Sequence, residues 1–277
     1  MVSIPRNPRC GAIGVLVVLV LAYAPTRPAY CADEFPAPST DLPVPPPEGA
    51  TVLFDGSPDH LFLSMNGGSV DWPIEDGALV STHHEGQANH IVSKLHFRDA
   101  DLHVEFMLPQ RGVGNSGVYL HGHYELQIIK PGAEGKLTEH DIGSLYGFAT
   151  PLTSAGRPPG FWQSYDIRYR APRRDDAGAI TEQGTITAYL NGVLVQDHTR
   201  FGEPRSVYHP FRFRTTPYLK QIAEQQRRTV TGPVFLQDHN APVRFRNVWV
   251  RPLDDRAFLH EVAATSDEHA RSQSESN

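Results

Sequence analysis

Glu125 and Gln127 stand two residues apart in the alternating run Tyr124-Glu125-Leu126-Gln127-Ile128. Positions two apart on an extended strand share a face, so one carboxylate and one amide project together while Leu126 and Ile128 turn to a core. A retaining glycosidase of the ordinary kind needs two carboxyls about 5 Å apart, and this strand offers one. Just upstream, His121, His123 and Glu125 have the i, i+2, i+4 spacing of metal ligands, with His83 and His84 as further ligands from elsewhere. Gly122, however, marks a hairpin between Leu120 and Tyr124 that would break the alternation, so no metal is expected. Nucleophilic catalysis finds no support, because there is no G-x-S-x-G and both cysteines, Cys10 and Cys31, lie in an N-terminal segment. No phosphate-cradling glycine loop opens a helix, and no cofactor is expected.

The elements that must position these residues read as strands. From residue 50 to 253, short apolar or alternating runs are punctuated by Gly, Pro, Asn and Asp, and nothing sustains a helical period of four turns. The clearest is 101–108, where Leu102, Val104, Phe106 and Leu108 point one way and His103, Glu105 and Met107 the other. Further strands are expected at 51–54, 78–82, 88–94, 116–120, 124–129, 163–169, 184–190, 194–198, 234–237 and 243–251. Asn191-Gly192 between two alternating runs predicts a tight hairpin. Residues 218–228 have helix-favouring composition. Ten or more short strands without a disulfide predict an all-β fold, two packed antiparallel sheets in a sandwich.

The 277 residues carry 25 basic and 31 acidic side chains. An acidic balance without clustered Lys and Arg argues against nucleic acid as partner and against an anionic membrane surface. Residues 1–32 read as a secretory signal peptide: Arg6 and Arg9 precede a 13-residue apolar run at 12–24, too short to cross a bilayer. Losing that segment removes three of the 25 basic residues and no acid, taking the net charge from −6 to −9. An exported protein, periplasmic or extracellular, with no membrane attachment after processing is expected. Residues 33–49, with six prolines between 36 and 47, read as a stiff spacer. Residues 254–277, with six acids, two arginines and a Ser/Glu-rich end, read as a disordered tail.

Eight blocks then occur in order: Val52-Leu53-Phe54-Asp55-Gly56, Trp72-Pro73-Ile74-Glu75-Asp76-Gly77, Gly114-Asn115-Ser116-Gly117-Val118-Tyr119, Tyr124-Glu125-Leu126-Gln127-Ile128, Leu145-Tyr146-Gly147, Leu190-Asn191-Gly192, Gly232-Pro233-Val234-Phe235-Leu236-Gln237-Asp238-His239 and Phe245-Arg246-Asn247-Val248. Together they resemble the secreted 3-keto-disaccharide hydrolase family, a concanavalin-like jelly roll. Two positions depart from the family's habit, which often has Arg at His121 and Asp at Lys130. The laminarinase-like enzymes that share this jelly roll use a Glu-x-Asp-x-x-Glu strand; here Gln127 and Lys130 replace the second and third acids.

The resemblance implies an exported hydrolase acting on a carbohydrate substrate, a 3-keto glycoside. A ketone at carbon 3 acidifies the hydrogen on carbon 2, so one base can form an enolate that expels the group on carbon 1, and water then adds back. Glu125 and His239 are the implied bases. Asn115, Gln127, Tyr146, Gln237 and Arg246 are the implied donors, with Lys130 adding one if its side chain turns inward. Trp162 is open between stacking on a sugar ring and packing in the core. Arg246 is equally open to pairing with an acid such as Asp238, and Asn115-Ser116-Gly117 to shaping a turn. Trp72 and Trp249 are assigned to core or sheet edge. Glu125, Gln127, Gln237 and His239 are expected to converge on one pocket although more than a hundred residues separate them. The alternative is a non-catalytic, lectin-like sandwich, since fold alone does not fix function.

Overall fold

The computed structural model describes residues 35, 38–132 and 135–261. The expected signal segment and the end of the expected tail lie outside the described residues. Along the chain run β1 (Thr51–Phe54), β2 (Phe62–Ser64), β3 (Ile74–Glu75), β4 (Ala78–Val80), β5 (Ile91–Ser93), β6 (Leu95–His96), β7 (Asp99–Met107), β8 (Asn115–Leu120), β9 (Tyr124–Ile129), β10 (Trp162–Arg170), β11 (Arg173–Arg174), β12 (Ile180–Glu182), β13 (Gly184–Leu190), β14 (Val193–Phe201), α1 (Pro217–Thr229), β15 (Val234–Leu236), β16 (Arg244–Pro252) and β17 (Phe258–Leu259). An eight-stranded sheet has the order β14-β13-β10-β7-β16-β4-β3, with β1 joined to β16, and a five-stranded sheet has the order β2-β5-β15-β8-β9. All the pairings are antiparallel. This is the two-sheet antiparallel sandwich the alternation predicts and the jelly roll the resemblance implies.

Strand parity decides what goes between the sheets. Leu102, Val104 and Phe106 of β7 and Ile167 of β10 meet Val118, Leu120, Leu126, Ile128, Val234 and Leu236 of the smaller sheet in one buried core. Asn191 and Gly192 adopt left-handed φ of 53° and 80°, the two-residue turn that matches strand twist between Leu190 and Val193. His121 and Gly122 do the same in the β8–β9 hairpin, with φ of 54° and 67°, which fixes the register Tyr119↔Glu125 and Gly117↔Gln127.

Both outer faces are covered in part. On the eight-stranded sheet, His103 and Glu105 point outward as their parity requires, yet neither is exposed. Glu105 accepts from Arg246 Nε at 2.7 Å and from Asn247 Nδ2 at 2.8 Å, while the His103 ring stacks on Trp249. The Pro-rich stretch closes over them: Val44 N donates to Glu105 Oε1 at 3.0 Å, and Val44 O accepts from Asn247 Nδ2 at 2.7 Å. These bonds correct the expectation of a stiff spacer that is no part of the fold. A proline-rich stretch leaves few N–H groups of its own to satisfy, and the buried Glu105 carboxylate recruits one of them. The beginning of the expected tail is also held, since β17 pairs with β6 and His260 N donates to Lys94 O at 2.7 Å.

On the smaller sheet, α1 lies over one part of the outer face. Thr216 caps it, accepting from Leu219 N at 3.2 Å and donating to Met65 O, and Pro217 fills the first helical turn. Tyr218, Leu219 and Ile222 bury against Leu63, Val92, Tyr119 and Phe235. Among the described residues no helix is long and apolar enough to cross a membrane.

Candidate functional site

The rest of that outer face is open, and the polar side chains of β8 and β9 line a cavity of about 500 Å³ there. On β8 the parity that sends Ser116 and Val118 inward sends Asn115, Gly117 and Tyr119 outward. On β9 it sends Glu125 and Gln127 to the same side, as expected. Gly117 makes room for the acid: a Cβ there would sit 2.2 Å from Glu125 Oε1. Ser116 Oγ donates to Gln237 O at 2.6 Å and Gln237 N donates to Gly117 O at 3.0 Å. That pair of bonds clamps the Gln237-Asp238-His239 segment beside the strand, more than a hundred residues away in the chain. Tyr146 N donates to Glu125 O at 2.9 Å, which brings the Tyr146 ring to the rim.

Burial pushes the Glu125 carboxyl up to about 7, against a hydrogen bond from Tyr119 that favours the charged form. The residue is only 7% exposed. Tyr119 in turn accepts from Gln237 Nε2 at 3.1 Å, and burial, reinforced by the Glu125 charge, holds its phenol well above the ordinary value. Gln127 Oε1 and Gln237 Oε1 are buried without a protein partner, so each is an acceptor aimed at whatever fills the space. Behind them, burial pushes His90 down to about 4. Its Nδ1 accepts from Asp238 N at 3.1 Å, which assigns the ring hydrogen to Nε2 as a neutral donor.

Of the residues singled out in the sequence, Glu125, His239, Asn115, Gln127, Tyr146 and Gln237 all line this cavity. His239 lies exposed at its edge. Trp162 and Arg246 do not line it. Register places Arg246 opposite Glu105 and Trp162 opposite Met107, on the outer face of the other sheet, where the guanidinium sits 4.0 Å from the Trp162 ring centroid. Arg246 pairs with Glu105 rather than Asp238. Lys130 turns away and donates to Gly112 O. His121 and His123 separate from Glu125, as the Gly122 hairpin predicts. They line a second cavity of about 710 Å³, with His121 packed against Tyr169 and His123 against His209.

Several lining residues escaped the sequence reading. Tyr119 was within reach of it, since Asn115-x-Gly117-x-Tyr119 has the same two-residue spacing as Glu125 and Gln127. His83, His90 and Asp238 lie just outside the strands, where no two-residue spacing links them to Glu125. Tyr208, Phe213 and Arg214 come from the irregular chain before α1, which carries no periodicity to read.

Among solved structures, a protein from Parabacteroides distasonis ATCC 8503 named as a candidate glycosyl hydrolase matches with 30% identity and a TM-score of 0.61, over 76% of this chain and 92% of its own. A second such protein from the same organism matches at 24% identity and a TM-score of 0.52, over 75% of this chain and 95% of its own. No curated protein matches. The segment that supplies every strand of both large sheets, residues 49–251, matches the 3-keto-alpha-glucoside-1,2-lyase-like domain, and the chain belongs to that family.

Proposed function

We propose that this chain cleaves 3-keto glycosides by general-base elimination at carbon 2 followed by hydration, and that it does so after export. The observation that carries the reading is the Glu125 carboxyl, buried and poised at about 7, which matches the requirement for a base operating near neutral pH. The other carboxyl lining the cavity, Asp238, already accepts from Asn89 N, Asn240 N and His83 Nδ1, and it is not free to act as a nucleophile. A two-carboxylate retaining mechanism therefore lacks its second acid.

In this reading Glu125 takes the hydrogen on carbon 2 of the keto sugar. Negative charge moves to the ketone oxygen, where His90 Nε2–H and the Tyr146 hydroxyl are the available donors. A neutral imidazole serves better here than a charged one, because it keeps its proton while polarising the oxygen. Gln127 Oε1 and Gln237 Oε1 accept from sugar hydroxyls and hold the ring in place. An unoxidised glycoside lacks the acidified hydrogen, and the same site has nothing to remove.

The test is incubation of the protein with a 3-keto disaccharide and with its unoxidised parent, following free sugar. The expected result is turnover of the keto substrate alone, falling about 100-fold to 10,000-fold in Glu125→Gln while binding survives. Turnover of the parent alone would overturn the reading. Binding without turnover in the wild type would favour the lectin-like alternative.

A further inference from the structure

Elimination from carbon 1 needs a second proton carrier, because an alkoxide is a poor leaving group. We propose that His83, oriented by Asp238, is the acid that protonates the departing glycosidic oxygen in the cavity that holds Glu125. The assignment rests on the keto-glycoside reading above.

The geometry singles out His83 among the three histidines that line the cavity. Asp238 Oδ2 lies 2.9 Å from His83 Nδ1, and the Asp238 side chain is 1% exposed. The same carboxylate accepts from Asn89 N at 3.2 Å and, through Oδ1, from Asn240 N at 2.9 Å. Oδ2 already accepts from the Asn89 N–H and is the acceptor toward the ring as well, so Nδ1 carries a hydrogen and Nε2 is the nitrogen left to exchange protons with a substrate. A buried carboxylate behind an imidazole fixes both its tautomer and its orientation, which is what proton transfer requires. His90 cannot take this part, since its Nδ1 is occupied by the Asp238 N–H and its burial holds it neutral. Among the described residues no carboxylate pairs with His239.

The two groups close a cycle. Glu125 as carboxylate removes the carbon 2 proton, the freed electron pair forms the carbon 1–carbon 2 double bond, and the carbon 1–oxygen bond breaks as the leaving oxygen takes the Nε2 proton. Glu125 is then protonated and His83 neutral. Water adds to carbon 1, its proton passes to His83, and the proton on Glu125 returns to carbon 2. Both side chains are restored and one water is consumed.

The experiment compares two leaving groups on one protein sample: a 3-keto disaccharide, whose sugar alkoxide needs a proton, and a 3-keto glycoside of 4-nitrophenol, whose phenolate does not. In His83→Gln the disaccharide should lose about 100-fold or more in kcat and the nitrophenyl substrate less than about tenfold. His83 is a third exposed, with 32% of its side chain accessible, and the ratio of the two rates does not depend on the fraction of protein folded. Equal losses on both substrates, or no loss on either, with an active wild type would overturn the assignment of His83 alone. A wild type inactive on both would overturn the functional reading and this assignment with it.

Discussion

In the proposed reaction, the charge of Glu125 ties its role as base to the stability of the fold. In an unfolded chain its carboxyl titrates at the ordinary value of 4.5, and burial raises it to about 7 in the fold. A raised value means that the folded state holds the proton more tightly. The contribution is therefore fully present below about pH 4.5 and is lost as pH rises through 7. Glu125→Gln removes that dependence, and its stability relative to wild type should grow by on the order of 3 kcal/mol between pH 4 and pH 8. Urea unfolding at the two pH values checks this, and a constant difference would mean an unperturbed carboxyl. Gly117 is the other residue on which the site depends. Gly117→Ala places a methyl 2.2 Å from Glu125 Oε1, so the carboxylate must swing aside. Misplacing a base by about 1 Å costs about 100-fold in rate, and kcat should fall by that order while circular dichroism retains the strand signal.

At the scale of elements, the outer face of the smaller sheet is divided between α1 and the cavity, with Tyr119 contacting both. The helix is 13 residues long, marginal by itself in water, so packing rather than propensity must hold it. Ile222→Ala should cost about 2–5 kcal/mol through the cavity it leaves, and Thr216→Ala about 1 kcal/mol through the lost cap. Chemical denaturation of the two variants measures both, and a larger loss at Thr216 would contradict this account. The helix was visible in composition over 218–228, one residue short at each end, because Pro217 and Thr229 are read as breakers until the cap is seen. Longer strands such as β7, β9 and β13 declared themselves by alternation. Two-residue strands such as β3, β11 and β17 carry too few positions to show a period, and only their partners define them.

Across the whole molecule, the Pro-rich stretch is the clearest case of a segment whose fate depends on what lies far away in sequence. Val44 bonds to Glu105 and Asn247, 61 and 203 residues further on. A chain that begins at residue 35 keeps these bonds and the stack of Phe35 on Tyr189, whereas truncation before residue 48 strips one donor from a buried carboxylate and should lower stability by about 1–3 kcal/mol relative to it. Equal midpoints for the two would restore the view of a spacer outside the fold.

Parity along a strand is a local property, and it carried the all-β class, the shared face of Glu125 and Gln127, and the inward turn of Leu126 and Ile128, while turn residues, equally local, carried the hairpins at Gly122 and Asn191-Gly192. Parity states which residues share a face. It does not state which sheet a strand joins or which outer face looks at the ligand. Arg246 and Trp162 alternate as cleanly as Glu125 does, but β10 and β16 pair with β7, and that pairing sends them to the opposite side of the sandwich. His83, His90 and Asp238 meet Glu125 only because β15 lies between β5 and β8. Strand order is set by how apolar faces a hundred residues apart bury one another, and that long-range packing decided the site.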